Sequence, residues 1–563
     1  MRPTNLRVRA FLAGLALAIG LAASQASAAG PHLHISQGDL SGELVAPGAV
    51  ARYRGIPFAA PPVGDGRWRP PAAPTAWSGV RDATRFGPAC MQPKSVPGAF
   101  YADDPTEISE DCLYLNVWTP ASAAKAPVMV WIHGGALLNG TASSERYDGA
   151  RLAARGVVVV TINYRMGVFG YFAHPELIAE SPRGAAGNYG VQDQIAALRW
   201  VRDNIAAFGG DPGNVTIFGE SAGALSVSHL MVSPAARGLF HRAIGESPYL
   251  PSIPELKRAR FGQPPAEAQG AAFAVGAGAA ALPALRALPA DELMAASQRL
   301  AFATQATVDG WILPTQVFEA FEAGAEAPVP LIMGFNSGEF RAFVTIPGVV
   351  PPVPASPKAY EAEVRRRYGD LADAYLRAYP AATPHESVLA AARDGLFGWA
   401  AERMARQHSQ RAPSYLYYFD HSYPGAEQRA LVSFHSAEIP FVFGEVGPGA
   451  RAPRNWPTPP ARAKDLQLSN VMMDYWVSFA RTGFPASAKA PAWRALSDGS
   501  SYMAFRNGGA APRVQLRPGS FALHERVVMD RRAQDRGWYM DVGLAAPERP
   551  LQTREVAESP DLP

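Results

Sequence analysis

Continuous apolar runs alternate with amphipathic stretches through the first half of the chain. Three runs, Pro127–Ile132, Val157–Asn163 and Val215–Gly219, contain many β-branched residues, which is typical of strands covered on both faces. Between the second and third runs, residues 192–207 place aliphatic side chains on one helical face and charged side chains away from it. Strands and helices at this spacing predict βαβ units and therefore a large, mostly parallel, doubly wound α/β sheet flanked by helices.

The same patterns extend the prediction along the rest of the chain. The other predicted elements are strands at 42–50, 51–57, 113–118, 329–334, 414–419 and 502–505, helices across 360–410 and at 466–482, and a helical insertion over the sheet edge at 255–325. No linker is long enough to separate independent domains. With 563 residues and 48% hydrophobic content, we predict a single domain over 29–545 and a polar tail over 546–563.

The net charge limits the kinds of partner that we predict, and the first residues indicate the cellular compartment. A net charge of +3 is too small, in a chain of this length, to indicate nucleic acid as a partner. Residues 1–28 combine three arginines, an apolar stretch at 11–23 and the small residues Ala26-Ser27-Ala28, which is the pattern of a secretory signal peptide. A membrane anchor is the alternative, but the apolar stretch is too short to span a bilayer. We predict export to the periplasm or the medium, without a stable membrane anchor.

The sequence contains two cysteines, Cys90 and Cys112. Two thiols at this spacing either pair or remain free, and the oxidising compartment that export implies favours a disulfide. The segment between them is rich in Pro, Gly and acidic residues, so we predict a loop closed by that disulfide.

The strongest chemical signal is the sequence GESAG at Gly219–Gly223. It follows a predicted strand and precedes a predicted helix at 222–232, so Ser221 lies on a sharp turn with its hydroxyl above the sheet edge. Glycine two residues before and two residues after the serine allows close approach of neighbouring backbone. A simple turn of small residues is the alternative, but the flanking strand and helix favour Ser221 as a nucleophile.

A nucleophilic serine requires an acid and a histidine base, which follow it in this order in such an architecture. Glu339 lies just after the predicted strand at 329–334, where parallel sheets place functional groups, and Asp309 and Asp420 are rivals by position. His435 follows an apolar, strand-like segment and lies in a predicted loop. The pattern alone leaves four other histidines as candidates: His385, His408, His421 and His524.

The segment His133–Ala136 directly follows the predicted strand at 127–132. Gly134 and Gly135 allow its backbone N–H groups to turn toward the serine, and the N–H of Ala222 follows the serine itself. These groups form a candidate oxyanion hole, although a tight Gly-Gly turn explains the pattern equally well.

Motifs along nearly the whole mature chain resemble the type-B carboxylesterase family. This family includes bacterial para-nitrobenzyl-type esterases, animal carboxylesterases, cholinesterases and neuroligins. The matching segments are RGIPFA at 54–59, EDCLYLNV at 110–117, NYR at 163–165, GNYG at 187–190, FGGDP at 208–212, GESAG at 219–223, GFNSGE at 334–339, HSAEIPFVFG at 435–444 and YWVSFARTG at 475–483.

The resemblance implies an α/β-hydrolase fold with helical insertions over an active-site gorge. It implies a catalytic triad of Ser221, Glu339 and His435, with Ser247 supporting the acid. Ala136 stands where the family usually has a third glycine, and Phe340 also replaces a glycine. The resemblance also implies the oxyanion donors Gly135, Ala136 and Ala222 and the pairing of Cys90 with Cys112. We further assign Glu220 and Glu438 to the residues that support the triad.

We therefore predict a serine hydrolase that cleaves small to medium apolar carboxylic esters through an acyl-enzyme. It needs no metal or cofactor, its partner is a small-molecule ester, and it is a monomer or a homodimer. An amidase, a carbamate or polyester hydrolase, or an interfacial lipase with the same triad are alternatives. A non-catalytic adhesion protein, as in neuroligins, lacks the nucleophile. From their positions beside the triad in sequence, we expect four residues to form an apolar pocket: Leu137, Leu138, Phe340 and Phe434.

Overall fold

The computed structural model describes residues 30–45, 50–96, 98–102, 105, 107–346, 348–496, 501–516 and 519–548. The predicted signal peptide at 1–28 and the part of the predicted tail beyond residue 548 lie outside these residues. Across the described ranges, no helix combines the length and the apolar character that crossing a membrane requires.

The secondary structure alternates strands with helices through most of the chain. Strands β1 to β16 are His32–Ile35, Gly38–Ser41, Glu43–Val45, Val50–Pro57, Val80–Asp82, Ala89–Cys90, Ile108–Ser109, Tyr114–Pro120, Ala126–Ile132, Val158–Ile162, Gly210–Glu220, Arg242–Glu246, Leu331–Asn336, Ser414–Asp420, Ser501–Arg506 and Gly509–Val514. Helices α1 to α17 are Ala150–Ala153, Gly167–Gly170, Pro175–Glu180, Tyr189–Asn204, Ala222–Val232, Ala266–Gly276, Leu282–Ala287, Ala290–Arg299, Val317–Glu322, Pro357–Tyr368, Ala372–Ala378, Pro384–Arg393, Trp399–His408, Pro424–Gln428, Ile439–Phe443, Ala463–Thr482 and Ser520–Ala533. One π-helical turn, Asp394–Gly398, joins α12 to α13.

The central sheet has eleven strands within the described residues, in the order β16-β15-β14-β13-β12-β11-β9-β10-β8-β4-β3. The strands from β15 to β10 in this order pair in parallel, whereas β16 at one end and β8, β4 and β3 at the other pair antiparallel. The carboxyl ends of the parallel strands therefore meet at one edge, where α/β sheets place their functional groups.

Strand β9 shows why its apolar run forms a central strand. All seven of its residues are buried, and alternate side chains point to opposite faces of a sheet. Val128, Val130 and Ile132 pack into a core with α4, α5 and α13, and Met129 and Trp131 pack into a second core with α15 and α16. The predicted sheet covered by helices on both faces is thus confirmed.

The predicted helical insertion at 255–325 contains α6 to α9 and no strand longer than an isolated bridge. Helices α6, α7 and α8 pack with α2 and α3 around their own apolar cluster, outside the two cores of the sheet. Because these helices pack outside the sheet, the Ala-rich segment does not contain the continuous apolar run of a buried strand.

Cys90 and Cys112 form a disulfide, as predicted. Cys90 ends β6, Cys112 precedes β8, and both residues are buried. The bridge closes the loop that contains Gln92, Ser95 and Tyr101.

We expect the double variant Cys90→Ser/Cys112→Ser to lose about 3 kcal/mol of unfolding free energy, because the open loop gains conformational entropy in the unfolded chain. Denaturant unfolding of the variant and the parent measures this difference. A reducing agent should destabilise the parent but leave the variant unchanged, and equal stability of the two proteins would contradict the prediction.

Candidate active site

Ser221 lies between β11 and α5 in a backbone conformation that few non-glycine residues adopt, with φ 58° and ψ −119°. The turn is held by a hydrogen bond from the Ser221 N–H to the Glu246 carbonyl oxygen, at 2.8 Å. A Cβ atom on Gly219 or Gly223 would lie 2.5 or 2.0 Å from the carbonyl oxygen of Ile132. Only glycine fits at these two positions, so the packing of the turn against β9 keeps Ser221 at the tip.

Glu339 and His435 are brought together by neighbouring loops. Glu339 follows β13, and the loop of His435 is joined to it by a hydrogen bond from the Gly338 N–H to the Ser433 carbonyl oxygen, at 2.9 Å. Nδ1 of His435 lies 2.5 Å from Oε2 of Glu339. A carboxylate at Nδ1 fixes the imidazole tautomer and leaves Nε2 available to exchange protons.

The other oxygen of the Glu339 carboxylate is held from two sides. Ser247 Oγ donates to Glu339 Oε1 at 2.6 Å, and the backbone N–H of Asn336 donates to the same oxygen at 2.7 Å. The carboxylate is fully buried. These two hydrogen bonds hold the carboxylate in its orientation toward His435.

Nε2 of His435 faces a second carboxylate. It lies 3.0 Å from Oε1 of Glu220, and that oxygen also accepts a hydrogen bond from Ser436 Oγ at 2.7 Å. Within the described part of the chain, no hydrogen bond joins the hydroxyl of Ser221 to His435. The imidazole thus bridges two carboxylates in the free protein.

This arrangement determines the charge of the histidine. Burial lowers the pKa of His435, but the negative charges of Glu220 and Glu339 outweigh it and raise the pKa above the ordinary value. Burial also raises the pKa of Glu220, although His435 and Ser436 act in the opposite direction. The carboxylates therefore stabilise the imidazolium form.

Aromatic rings hold the imidazole from its faces. The ring of Phe397 stacks on His435 with centroids 4.8 Å apart and planes 28° apart, and Phe343 contacts it at 4.9 Å. Phe397 belongs to the π-helical turn Asp394–Gly398, and π-helical turns frequently occur at functional sites. Tyr101 lies at the ring edge, and its hydroxyl donates to the His435 carbonyl oxygen at 3.1 Å.

The candidate oxyanion donors lie at the same edge of the sheet as Ser221. Gly135 and Ala136 follow β9, and their N–H groups donate to no acceptor among the described residues. Ala222 is the first residue of α5, so its N–H has no partner within the helix. Ala136 has φ 56° and thereby adopts the left-handed conformation that a glycine would adopt more readily.

Ser221, His435, Gly135 and Ala136 line one cavity of about 190 Å³. These residues, from three distant segments of the sequence, are therefore brought together at the carboxyl edge of the sheet. Other side chains that line the cavity are Gln92, Ser95, Tyr101, Asn139, Arg146, Tyr147, Glu220, Phe343, Ile346 and Ser436.

The four apolar residues predicted for the substrate pocket do not line this cavity: Leu137, Leu138, Phe340 and Phe434. Phe340 packs against Phe343 with ring centroids 5.3 Å apart, and Phe434 packs against Trp456 at 5.1 Å. The positive φ of Leu137, 58°, turns its side chain into the core. These sequence neighbours of the catalytic residues therefore do not form the lining, and Tyr101, Phe343 and Ile346 supply its apolar part instead.

Glu438 is buried behind the site rather than beside His435. It accepts a hydrogen bond from the side-chain amide of Asn336, which also donates to the Phe434 carbonyl oxygen at 3.0 Å. Burial, followed by the charges of nearby carboxylates, raises the pKa of Glu438 well above its ordinary value. Glu438 thus supports the loops of Glu339 and His435 through Asn336.

The rival acids have other partners. Asp420 pairs with Arg506 at 3.1 Å. Oδ1 of Asp309 accepts hydrogen bonds, at 2.8 to 3.0 Å, from the backbone N–H groups of Trp311, Ile312 and Leu313. Both carboxylates stabilise local structure.

The rival histidines also lie apart from Ser221, because none of them lines its cavity. His385 is exposed beside Glu386. The other three are buried and bonded as follows: His408 to Glu326 at 2.8 Å, His421 to Asp465 at 2.8 Å, and His524 to Tyr379 at 2.8 Å.

Comparison with known proteins identifies the family. The family model described as "Carboxylesterase family" matches residues 29–517. The fumonisin B1 esterase of Sphingopyxis macrogoltabida is 39% identical over 473 residues, which cover 81% of this chain and 84% of the relative. The para-nitrobenzyl esterase of Bacillus subtilis is 38% identical over 464 residues, which cover 80% and 89%.

Solved structures show the same fold. The carboxylesterase EST55 of Geobacillus stearothermophilus superimposes with a TM-score of 0.73 at 36% identity, covering 87% of this chain and 99% of that one. A para-nitrobenzyl esterase structure has a TM-score of 0.69 at 33% identity and covers 86% of this chain and 97% of that one. The α/β-hydrolase fold is therefore confirmed. The chain belongs to the carboxylesterase family and is a carboxylic-ester hydrolase.

Proposed function

We propose that Ser221, His435 and Glu339 carry out ester hydrolysis through an acyl-enzyme intermediate. The observation that supports this most directly is the His435–Glu339 contact of 2.5 Å at the cavity that contains Ser221. A histidine oriented by a carboxylate and a serine on a strained turn are the two components that nucleophilic acyl transfer requires.

In the first half-reaction, Nε2 of His435 turns from Glu220 to the Ser221 hydroxyl and accepts its proton as Oγ attacks the ester carbonyl. The tetrahedral oxyanion accepts hydrogen bonds from the N–H groups of Gly135, Ala136 and Ala222. His435 then protonates the departing alcohol. Water attacks the acyl-enzyme in the same manner and releases the acid.

We propose small to medium esters as substrates, because the cavity of about 190 Å³ has an apolar side formed by Tyr101, Phe343 and Ile346. Amides, carbamates and polyesters share the acyl-transfer chemistry and are the second class to assay. A rate that jumps above the solubility limit of the ester would instead identify an interfacial lipase.

The test uses the purified protein and para-nitrophenyl esters from acetate to decanoate. We expect hydrolysis that is fastest for short to medium acyl chains, and covalent labelling of Ser221 by a fluorophosphonate, located by peptide mass spectrometry. Label on a different residue, with loss of activity, would overturn the assignment of the nucleophile.

We also propose that the protein is exported with removal of residues 1–28. The Cys90–Cys112 disulfide supports this, because such bonds persist in oxidising compartments. Amino-terminal sequencing of the protein from cell fractions tests the proposal, and Ala29 is the expected first residue.

The pH dependence of kcat/KM should reflect His435, since only neutral imidazole accepts the serine proton. We expect activity to fall as the pH decreases through a pKa above 6.5, the ordinary histidine value. Glu220→Gln removes a negative charge 3.0 Å from Nε2, so it should move this decline to lower pH. Glu445→Gln, a change at a buried carboxylate that does not line the cavity, is the control. A decline at the same pH in Glu220→Gln would contradict the assigned role of Glu220.

A further inference from the structure

The buried side chain of Gln92 connects the disulfide loop to the turn that carries two of the candidate oxyanion donors. Gln92 is 5% exposed and lies two residues after Cys90. We propose that Gln92 is a positioning residue, which keeps the backbone N–H groups of Gly135 and Ala136 directed at the oxyanion. This inference rests on the proposed function, because these N–H groups affect the rate only if an acyl-transfer oxyanion forms beside them.

The amide of Gln92 is bonded to the backbone at both of its ends. Its Nε2 donates to the carbonyl oxygens of Cys90 at 3.0 Å and of Gly140 at 2.9 Å, and its Oε1 accepts the N–H of Gly140 at 2.9 Å. The two bonds to Gly140 hold the peptide groups on either side of that residue, so they fix its position relative to the disulfide. Because an amide donates and accepts at once, an apolar side chain of similar size cannot replace these contacts.

Gly140 in turn supports the turn that follows β9. Its φ is 117°, and a Cβ atom there would lie 2.4 Å from Nδ1 of His133 and 2.6 Å from the carbonyl oxygen of Gly134. Gly140 therefore packs directly against these two groups, which only a glycine can do. The preceding residue, Asn139, donates its N–H to the carbonyl oxygen of Gly135 at 3.0 Å. A shift of Gly140 would consequently disturb both supports of the turn.

These supports determine where the oxyanion donors point. In a trans peptide, the C=O and the N–H of one peptide unit point in opposite directions. The carbonyl oxygen of Gly134 lies 2.9 Å from Nδ1 of His133, and this contact orients the peptide unit that contains the N–H of Gly135. The bond from Asn139 to the carbonyl oxygen of Gly135 orients the next unit, which contains the N–H of Ala136. Both donor directions therefore depend on the glycine that the amide side chain holds.

The rate of acyl transfer is sensitive to such positions. Loss of one oxyanion donor costs about 10²–10³ in rate, and a displacement of about 1 Å costs on the order of 10²-fold. Leucine at position 92 would leave the N–H and the carbonyl group of Gly140 without their partner, so the turn would lose its support. Since the oxyanion develops in the transition state and not in the bound ester, kcat should fall while KM changes little.

The experiment compares Gln92→Leu with the matched variant Gln316→Leu. Gln316 is also buried, and its amide bonds to the N–H and the carbonyl oxygen of one residue, Ile253, at 3.0 and 2.7 Å, but it does not line the cavity. Both variants lose a pair of hydrogen bonds, so thermal unfolding should show similar destabilisation. We measure kcat and KM for para-nitrophenyl butyrate and the inhibition constants of a butylthio trifluoromethyl ketone and the matched methyl ketone. The fluorinated ketone forms a tetrahedral oxyanion adduct with a nucleophilic serine, whereas the methyl ketone binds mainly as the ketone.

We expect Gln92→Leu to lower kcat, and its affinity for the trifluoromethyl ketone, by about 10- to 100-fold, with little change in KM or in affinity for the methyl ketone. Gln316→Leu should leave all four quantities unchanged. Gln92→Glu retains an acceptor for the Gly140 N–H, so it should lose less kcat, and it serves as the test variant if the leucine variant does not fold.

Two results would overturn the positioning role and leave the proposed function intact. One is a wild-type kcat in both substitutions of Gln92, and the other is an equal loss of affinity for the two ketones, which would indicate a contact with the bound ligand or a general loss of structure. A wild-type protein that hydrolyses no para-nitrophenyl ester and is not inhibited by the trifluoromethyl ketone would overturn the proposed function as well.

Discussion

Replacing Ser221 by alanine is expected to lower kcat for ester hydrolysis by about a million-fold, the scale observed when a serine protease loses its nucleophile. Alanine retains the Cβ atom, and the turn is held by a backbone hydrogen bond and by close packing of Gly219 and Gly223. The variant should therefore fold normally and still bind substrate. Activity measured with para-nitrophenyl butyrate, together with thermal unfolding, separates the loss of chemistry from a loss of structure.

Two matched substitutions accompany this variant. Ser228→Ala removes a buried hydroxyl from the same helix, where Ser228 donates to the carbonyl oxygen of Ala224 at 3.0 Å, and it should leave kcat nearly unchanged. Ser95→Ala removes another hydroxyl that lines the cavity. If activity survives in Ser221→Ala but disappears in Ser95→Ala, Ser95 is the nucleophile and the assignment of Ser221 is wrong.

Replacing Glu339 by glutamine is expected to lower kcat by about ten-thousand-fold, with little change in KM. The carboxylate accepts hydrogen bonds from Ser247 and from the backbone of Asn336 on one oxygen, and faces Nδ1 of His435 with the other. Glutamine can retain the first contacts but presents an amide N–H to Nδ1. The imidazole then carries its proton on Nε2 and cannot accept the proton of Ser221.

Asp420→Asn is the matched control for this charge-to-amide change. Asp420 is a rival acid from the sequence, but it pairs with Arg506, so its variant should retain full kcat. Equal losses in the two variants would point to a general electrostatic effect, and a loss only in Asp420→Asn would reassign the acid.

The sequence predicts the central sheet well because its inner strands are buried on both faces. The apolar runs at 127–132 and 157–163 correspond to β9 and β10, and residues 222–232 form α5 with the predicted ends. Strand β12 escaped prediction, since it has only five residues, begins with Arg242 and contains a glycine. Its position between β11 and β13 is fixed by pairing with both neighbours, which local composition does not reveal.

The candidate site is predictable only where its chemistry is local. Ser221 lies in a contiguous motif, whereas Glu339 and His435 are 96 positions apart and meet because their loops pair. By position alone, Asp309 and Asp420 are rivals of Glu339 for the role of the acid. Excluding them required their tertiary partners, which depend on the whole fold.

The lining of the cavity could not be predicted from proximity in sequence. Phe340 and Phe434 are adjacent to triad residues but point into the core, whereas Phe343 and Ile346 line the cavity. That Arg146 lines the cavity could not be predicted, because a single arginine in a turn is most often a solvated surface residue. Phe397 contacts His435 from a region that the periodicity predicts as α-helix, and the pattern does not indicate the π-helical turn.

Because of the π-helical turn Asp394–Gly398, we expect the protein to tolerate the deletion of a residue at some positions of this region and not at others. Each residue of an α-helix rotates the next side chain by about 100°, so deleting one residue between 384 and 396 would swing the ring of Phe397 away from His435. The same deletion in the segment 348–356, which precedes α10 and has no helix or strand, leaves the rotation of every helix intact. A scan of single-residue deletions should therefore show an intolerant interval over 384–396 and a permissive loop at 348–356.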